Sequence, residues 1–347
     1  MDIDRYIQRN DPVWRRLEHL AREASRSVGR LDDDELDELV HLYQEVSSHL
    51  AHARGQYRDP GLNARLSRIL GEARVVIYRR RSSAAAAVGR FFVETFPAAV
   101  WHSRRFVAVA FACFFVPAIG FGTWLAGSPS ALDAAVPPEL QQLIAEEEFA
   151  AYYSSDAAQN FAGQVTINNI QVAFLAFALG VVAVVGPGLV LANNGMHVGV
   201  MAAVMHRAGE GPQFWGLILP HGLLEISAIL VAGAAGLRLS WAIVAPGDRT
   251  RRDALRDEGL RSVVIVTGLA LCFVVAGFVE GFVTPSGLPT ALRIAVGVAV
   301  LATFVVYVVL LGSRAERLGL TGLLDERRRN ELDRVIHDAA SAPVLRG

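Results

Sequence analysis

Polar and apolar positions follow two different rules along this chain. Over residues 1–82 they alternate with helical spacing. Asp11-Pro12 reads as a helix start, with Asp as N-cap and Pro at the first helical position, followed by Trp14, Leu17, Leu20 and Ala21 on one stripe. Asp32 to Glu35 set carboxylates at the positive end of a second helix, which carries Leu36, Leu39, Val40, Tyr43, Val46 and Leu50 on one face. Asp59-Pro60 opens a third, with Leu62, Leu66, Ile69, Leu70, Ala73 and Ile77. Three amphipathic stripes predict a small three-helix domain.

Beyond it the apolar residues come in long unbroken runs. Crossing about 30 Å of hydrocarbon takes roughly 20 apolar residues. Phe106–Ala126, Ile167–Leu191, Phe214–Val244, Ser262–Val283 and Leu292–Gly312 meet that length. The Gly195–Met205 stretch is short, and reads as either a thin sixth span or a re-entrant half-helix. The fold class is therefore all-α: a polytopic membrane bundle of about six spans behind an N-terminal helical domain.

Composition and charge fix the expected topology. Charged residues make up only 19% of the chain, and they crowd into its first part, a 246–261 stretch and the tail. Every basic residue is Arg. Arg104 and Arg105, the group Arg249, Arg251, Arg252, Arg256 and Arg261, and the tail from Arg314 to Arg334 are all placed in the cytoplasm by the positive-inside rule. Six crossings satisfy all three groups, whereas five would leave one outside. The expected organisation is a cytoplasmic domain over 1–82, an elbow over 83–105, a membrane domain over 106–312 and a cytoplasmic tail over 313–347. The expected location is the plasma membrane, multi-pass, with both termini cytoplasmic.

In the elbow, Phe91, Phe92, Phe96 and Trp101 lie among Arg90, Arg104 and Arg105, a mixture suited to a helix lying on anionic lipid headgroups. A linker helix packed on the first domain is the alternative. The outer segment 127–166 carries Asp133, Glu139, Glu146, Glu147, Glu148 and Asp156, and its helical stretch Pro138–Tyr153 offers Leu140, Leu143, Ile144, Phe149 and Tyr153 to the membrane or to a partner.

Polar groups inside the spans are the candidates for function, because each is costly in lipid unless paired. The sharpest instance is Leu219-Pro220-His221-Gly222-Leu223-Leu224-Glu225. His221 and Glu225 are four apart, so both project from one helix face and are placed to hydrogen-bond or bind a common cation. Gly222 leaves room for another backbone, and removing His221 would strand Glu225. A pair that merely locks packing is the competing reading. Asn193, Asn194, Gly195 and His197 form a second group at the second span's end, and Asn168 and Asn169 mark its start; helix capping at the headgroups explains the Asn residues without function. Glu280, in Glu280-Gly-Phe-Val-Thr284-Pro285, needs a proton or a partner such as His221 or an Asn. No zinc-protease, nucleophile-elbow or phosphate-loop pattern accompanies these groups, so no enzyme, metal or cofactor is expected. Cys113 and Cys272 sit in apolar runs and read as small buried hydrophobes.

Taken together, Ile167-Asn168-Asn169, Asn194-Gly195, Pro220-His221-Gly222-x-x-Glu225 and Glu280-x-x-x-Thr284-Pro285 give a chain that resembles the stage II sporulation protein M family. The first domain is similar too, through Glu38 to Arg54 and Leu62-Asn63 up to Ile77-Tyr78. The resemblance implies a non-enzymatic membrane subunit or scaffold, since the family's namesake looks like an anchor for peptidoglycan-degrading partners at the sporulation membrane. It also implies envelope or other membrane-protein partners and a cytoplasmic MoxR-type ATPase; from the spans and the elbow, membrane lipids are expected as partners, and nucleic acid is not. The small-residue faces suit a homodimer. A transporter or channel-like permease with a buried His/Glu site is the alternative.

Overall fold

A computed structural model describes residues 3–26, 33–57, 59–78, 84–153, 155–182, 184–324 and 326. Asp32, the run Arg79 to Arg81, the tail from 327 onward and the side chains of Glu146, Glu147, Glu148, Phe149, Tyr153 and Asp156 lie outside the described residues. The described residues are almost all helical, with no strand among them, and the chain divides into two compact units, Met1–Val88 and Gly89–Gly347.

The first unit contains α1 (Ile3–Arg26), α2 (Asp33–Gln56) and α3 (Pro60–Tyr78). Their stripes close on a core in which Trp14, Leu17, Leu20, Leu39, Val46, Leu66 and Ile69 are fully buried. Asp59 caps α3 as its sequence suggests, accepting from the Leu62 amide at 2.7 Å. The start of α1 differs from expectation: the helix begins at Ile3 and runs through Pro12. Tertiary burial overrides the proline signal, because Tyr6 packs its ring against Trp14, His49, His52 and Tyr57 and extends the helix upstream.

Three carboxylates tie this unit together. Asp11 meets Arg65 at 2.7 Å and Arg15 at 2.6 Å, Glu18 meets Arg22 and Arg68, and Glu38 meets Arg16. The Arg65 hydrogen bond holds Asp11 below the usual carboxylate range, and Arg16 does the same for Glu38. Burial alone would raise Glu18, but Arg22 and Arg68 outweigh it and lower it.

The second unit is the membrane domain. Helix α4 (Ala84–Arg90) passes through a π-helical turn at Phe91–Thr95 into α5 (Phe96–His102). The chain bends at Ser103 into α6 (Arg104–Gly127); the short α7 (Pro129–Ala135) and α8 (Pro138–Tyr153) then lead to α9 (Ser155–Val182). Helices α10 (Gly186–Arg207), α11 (Gly211–Val244), α12 (Arg251–Phe278, ending in a π-helical turn at Val279–Val283) and α13 (Thr290–Arg317) complete it. Six of these helices are long and apolar enough to cross a membrane: α6, α9 from Gln164, α10, α11, α12 with its π turn, and α13. The central one is α11, which packs on α6, α9, α10, α12 and α13.

Three expectations change, two of them boundaries. The second and third spans divide between Val182, where α9 ends, and Gly186, where α10 begins, rather than near 191–195, so α10 is a 22-residue helix and not a short insert. Hydropathy is blind to this break, which falls within the apolar run Val181 to Val185; Gly186-Pro187 restarts the helix with Pro in its first turn. The elbow does not simply lie on headgroups. Phe96 and Ala98 to Val100 are buried, with the Phe96 ring filling the space above Gly268 and Trp101 packed at Gly312. The Arg-rich stretch 246–261, expected as a loop between spans, is mostly helix, since α12 begins at Arg251.

Close approach of α6 and α10 depends on Gly195, where a Cβ would lie 2.1 Å from the Phe114 carbonyl oxygen. Gly195→Ala is expected to force the two backbones apart and destabilise the domain by about 1–3 kcal/mol. Gly120→Ala, on an α6 face with open space, should leave the stability in lipid nanodiscs within about 0.5 kcal/mol of wild type. Because folding favours ionised Asp11, Glu18 and Glu38, their contribution is whole above unfolded values near pH 4 and fades as pH falls through their lower folded values. Asp11→Asn should lower the first unit's stability at pH 7 by on the order of 1 kcal/mol or less. Its gap from wild type should close on acidification below about pH 4, as circular dichroism melts of the full chain would record.

Candidate functional site

Four helices deliver polar side chains to one cluster: α9 near Gln164, where its membrane-length stretch begins, the first half of α11, the π turn closing α12 and the start of α13. Thr166 and Asn169 are three apart and so share a face of α9. Glu225 is 1% exposed; it accepts from Asn169 Nδ2 on one oxygen and faces Thr166 Oγ1 at 3.4 Å on the other. The same Thr166 hydroxyl reaches Glu280 Oε2 at 3.0 Å. His221 Nε2 lies 3.8 Å from Glu280 Oε1, and its Nδ1 lies 3.4 Å from Thr284 Oγ1. Arg293 closes the group, donating to the Thr284 carbonyl at 2.7 Å and to Thr290 Oγ1 at 3.0 Å.

Local sequence explains this placement. The π turn adds a residue to the last turn of α12, with the Thr284 amide bonded back to Val279 O at 3.0 Å, and it carries Glu280 inward. Helix α13 comes close because Gly297 sits against Pro220, where a Cβ would be 2.5 Å from the Pro220 carbonyl oxygen. Gly297 therefore fills the role expected of Gly222. A Cβ on Gly222 would meet only Ile218 of its own helix, at 3.0 Å, so no other backbone approaches there.

The expected motif residues separate into two sets. Pro220, His221, Glu225, Asn169, Glu280 and Thr284 converge or support the convergence. Asn168 is exposed on the opposite side of α9, and Pro285 is exposed just beyond the π turn. Asn193, Asn194, Gly195 and His197 lie within α10. The Asn residues there are not caps: they occupy the eighth and ninth positions of a continuous 22-residue helix. His221 and Glu225 share a helix face but divide their partners, His221 turning to Glu280 and Thr284 and Glu225 to Asn169 and Thr166. The residue whose loss strands Glu225 is thus Asn169 and not His221.

Sequence reading missed Thr166 and Arg293, although Arg293 stood as a charge at the head of an apolar run. It also missed a second buried network at the other end of the bundle. Arg238 of α11 bonds Glu258 at 2.5 Å, the His102 carbonyl at 2.7 Å and His102 Nε2 at 2.6 Å. Arg261, only 3% exposed, pairs with Glu258 and holds Thr321 through its carbonyl and its hydroxyl, both at 2.7 Å. Burial, with the Arg238 guanidinium beside it, pushes His102 down to about 4, so the ring is neutral at pH 7 and accepts from Arg238. Among the described residues no group of three or more His, Cys, Asp and Glu is arranged to hold a metal ion.

These features define a polytopic helical membrane protein with buried polar clusters at both ends of its bundle. The chain belongs to the stage II sporulation protein M family, which matches residues 110–285 and so takes in the whole first cluster except Thr290 and Arg293. Residues 4–79 match a domain of unknown function. An uncharacterized protein of Methanocaldococcus jannaschii is 29% identical over 128 residues, covering 36% of this chain and 71% of that protein. A second from the same organism is 28% identical over 123 residues, covering 34% of this chain and 52%, about half, of that protein. No solved structure matches the chain.

Asn169→Ala should leave the buried Glu225 oxygen without its amide donor and cost about 1–3 kcal/mol. Asn168→Ala, on the exposed face, should be close to neutral. Thermal unfolding of both variants in detergent checks the contrast, and equal melting temperatures would contradict the pairing.

Proposed function

We propose that this chain is a non-enzymatic subunit of a plasma-membrane complex, organising cell-envelope proteins from within the bilayer with its helical domain and tail on the cytoplasmic side. The observation that carries the proposal is a set of polar side chains facing out of the bundle within the spans. Asn168 and Gln171 on α9, and Asn193 and His197 on α10, are exposed along helices that are otherwise apolar. Asn193 and His197 are four apart and make one outward stripe. Polar groups facing hydrocarbon are costly, and a neighbouring helix offering donors and acceptors relieves that cost. Such a surface fits another membrane protein or a second copy of this chain.

Leu140 and Leu143, 44% and 47% exposed on α8, add an apolar face suited to an envelope partner. The three-helix domain is the element available to a cytoplasmic partner, for which the family resemblance suggests a MoxR-type ATPase. A second reading, a permease, is favoured by the two carboxylates that share Thr166.

Asn193→Leu/His197→Leu should leave the melting temperature unchanged or raised and reduce partner recovery by crosslinking in native membranes by about tenfold, equivalent to roughly 1.4 kcal/mol of association. Undiminished recovery would remove the basis for the partner surface.

A further inference from the structure

Hydrogen counting at the first cluster leads beyond a packing role. The Thr166 hydroxyl has one hydrogen but two carboxylate neighbours, Glu225 Oε1 at 3.4 Å and Glu280 Oε2 at 3.0 Å. Ionised carboxylates only accept. With both ionised, one of these contacts would lack a hydrogen, and two buried negative charges would face each other across a single oxygen. With one proton on Glu280 Oε2 the chain closes: Glu280 donates to Thr166, Thr166 donates to Glu225, and the other Glu225 oxygen accepts from Asn169.

The same count applies to His221. The Thr284 hydroxyl has its own acceptor in Val279 O, at 3.4 Å, so its oxygen is free to accept from His221 Nδ1–H. That leaves Nε2 bare, 3.8 Å from Glu280 Oε1, a buried oxygen with no hydrogen-bond partner. Two acceptors thus face each other across a gap that one proton would bridge. The nearby cation from α13 is Arg293, and its bonds go to Thr284 O and Thr290 rather than to either carboxylate. Thr166 also lines a crevice of about 400 Å³ between α9, α11 and α12, with Ile170, Phe174, Phe273 and Val274 as apolar walls.

We infer that Glu225, Thr166, Glu280 and His221 form an intramembrane proton-binding site, with one proton resident between the carboxylates and a second place between Glu280 and His221 Nε2. The resident proton leaves the site at net charge −1; uptake of a second makes an imidazolium and brings it to zero. This inference stands on the cluster's geometry and does not rest on the partner surface of α9 and α10.

The test is infrared spectroscopy of the full chain in lipid nanodiscs, which detects the carbonyl stretch of a protonated carboxylic acid and its shift in heavy water. Wild type should show this band at neutral pH, Glu280→Gln should abolish it, and Thr166→Val, which keeps the side chain's volume, should shift it. Absence of the band from wild-type protein at pH 7 would overturn the inference, as would a band unchanged in both Glu225→Gln and Glu280→Gln. If these variants do not fold, the wild-type spectrum and Thr166→Val still decide it. Partner crosslinking by the Glu280→Gln protein is expected to persist, which separates failure here from failure of the subunit reading.

Discussion

Within a bilayer a charged or hydrogen-bonding side chain has no water to fall back on, and this constraint shapes the membrane domain more than any apolar contact does. The two buried clusters satisfy it in different ways. At one end Glu258 is shared by Arg238 and Arg261 across α11 and α12, and the two guanidiniums hold His102, beside the bend at Ser103, and the segment after α13. At the other end two acids, an imidazole and a hydroxyl share too few hydrogens for all to be satisfied in their ordinary states. In the first, one carboxylate serves several guanidiniums, whose other donors find carbonyl, hydroxyl and imidazole acceptors. The second has one acceptor left over, which makes it the chemically interesting one.

Helix packing around these clusters rests on shape rather than on hydrophobic drive, since lipid tails solvate leucine as well as a neighbouring helix does. Gly195 lets α6 sit against α10, and Gly297 lets α13 reach the Pro220 carbonyl. Large rings fill the complementary notches, Phe96 above Gly268 and Trp101 at Gly312. The two halves of the elbow, read from sequence as one surface helix, therefore differ: the exposed Arg90 precedes the π turn, and buried residues follow it.

The all-helical class, five of the six long apolar helices and the family were legible in the sequence because each rests on a local pattern repeated over many residues. What escaped was whatever depends on an element distant in sequence. Asn169 and Asn168 are adjacent and chemically identical, yet only the first meets a carboxylate, 56 residues away. The His221 and Glu225 spacing correctly put both on one face, but it could not show that helices on either side would draw them to separate partners. Arg238 was hidden by the apolar average of its run, and the division between Val182 and Gly186 by a stretch of valines that hydropathy cannot tell from helix.

The clasp after α13 has a mechanical meaning. Thr321 is gripped by Arg261 and by Glu326, while Gly322, at φ +89°, nests against the Ala99 backbone. The tail consequently departs from a riveted point and not from a loose end. A pull on it would be borne first by Arg261, then by Glu258 and Arg238, so tension applied to the carboxy terminus would be delivered to the middle helix of the bundle.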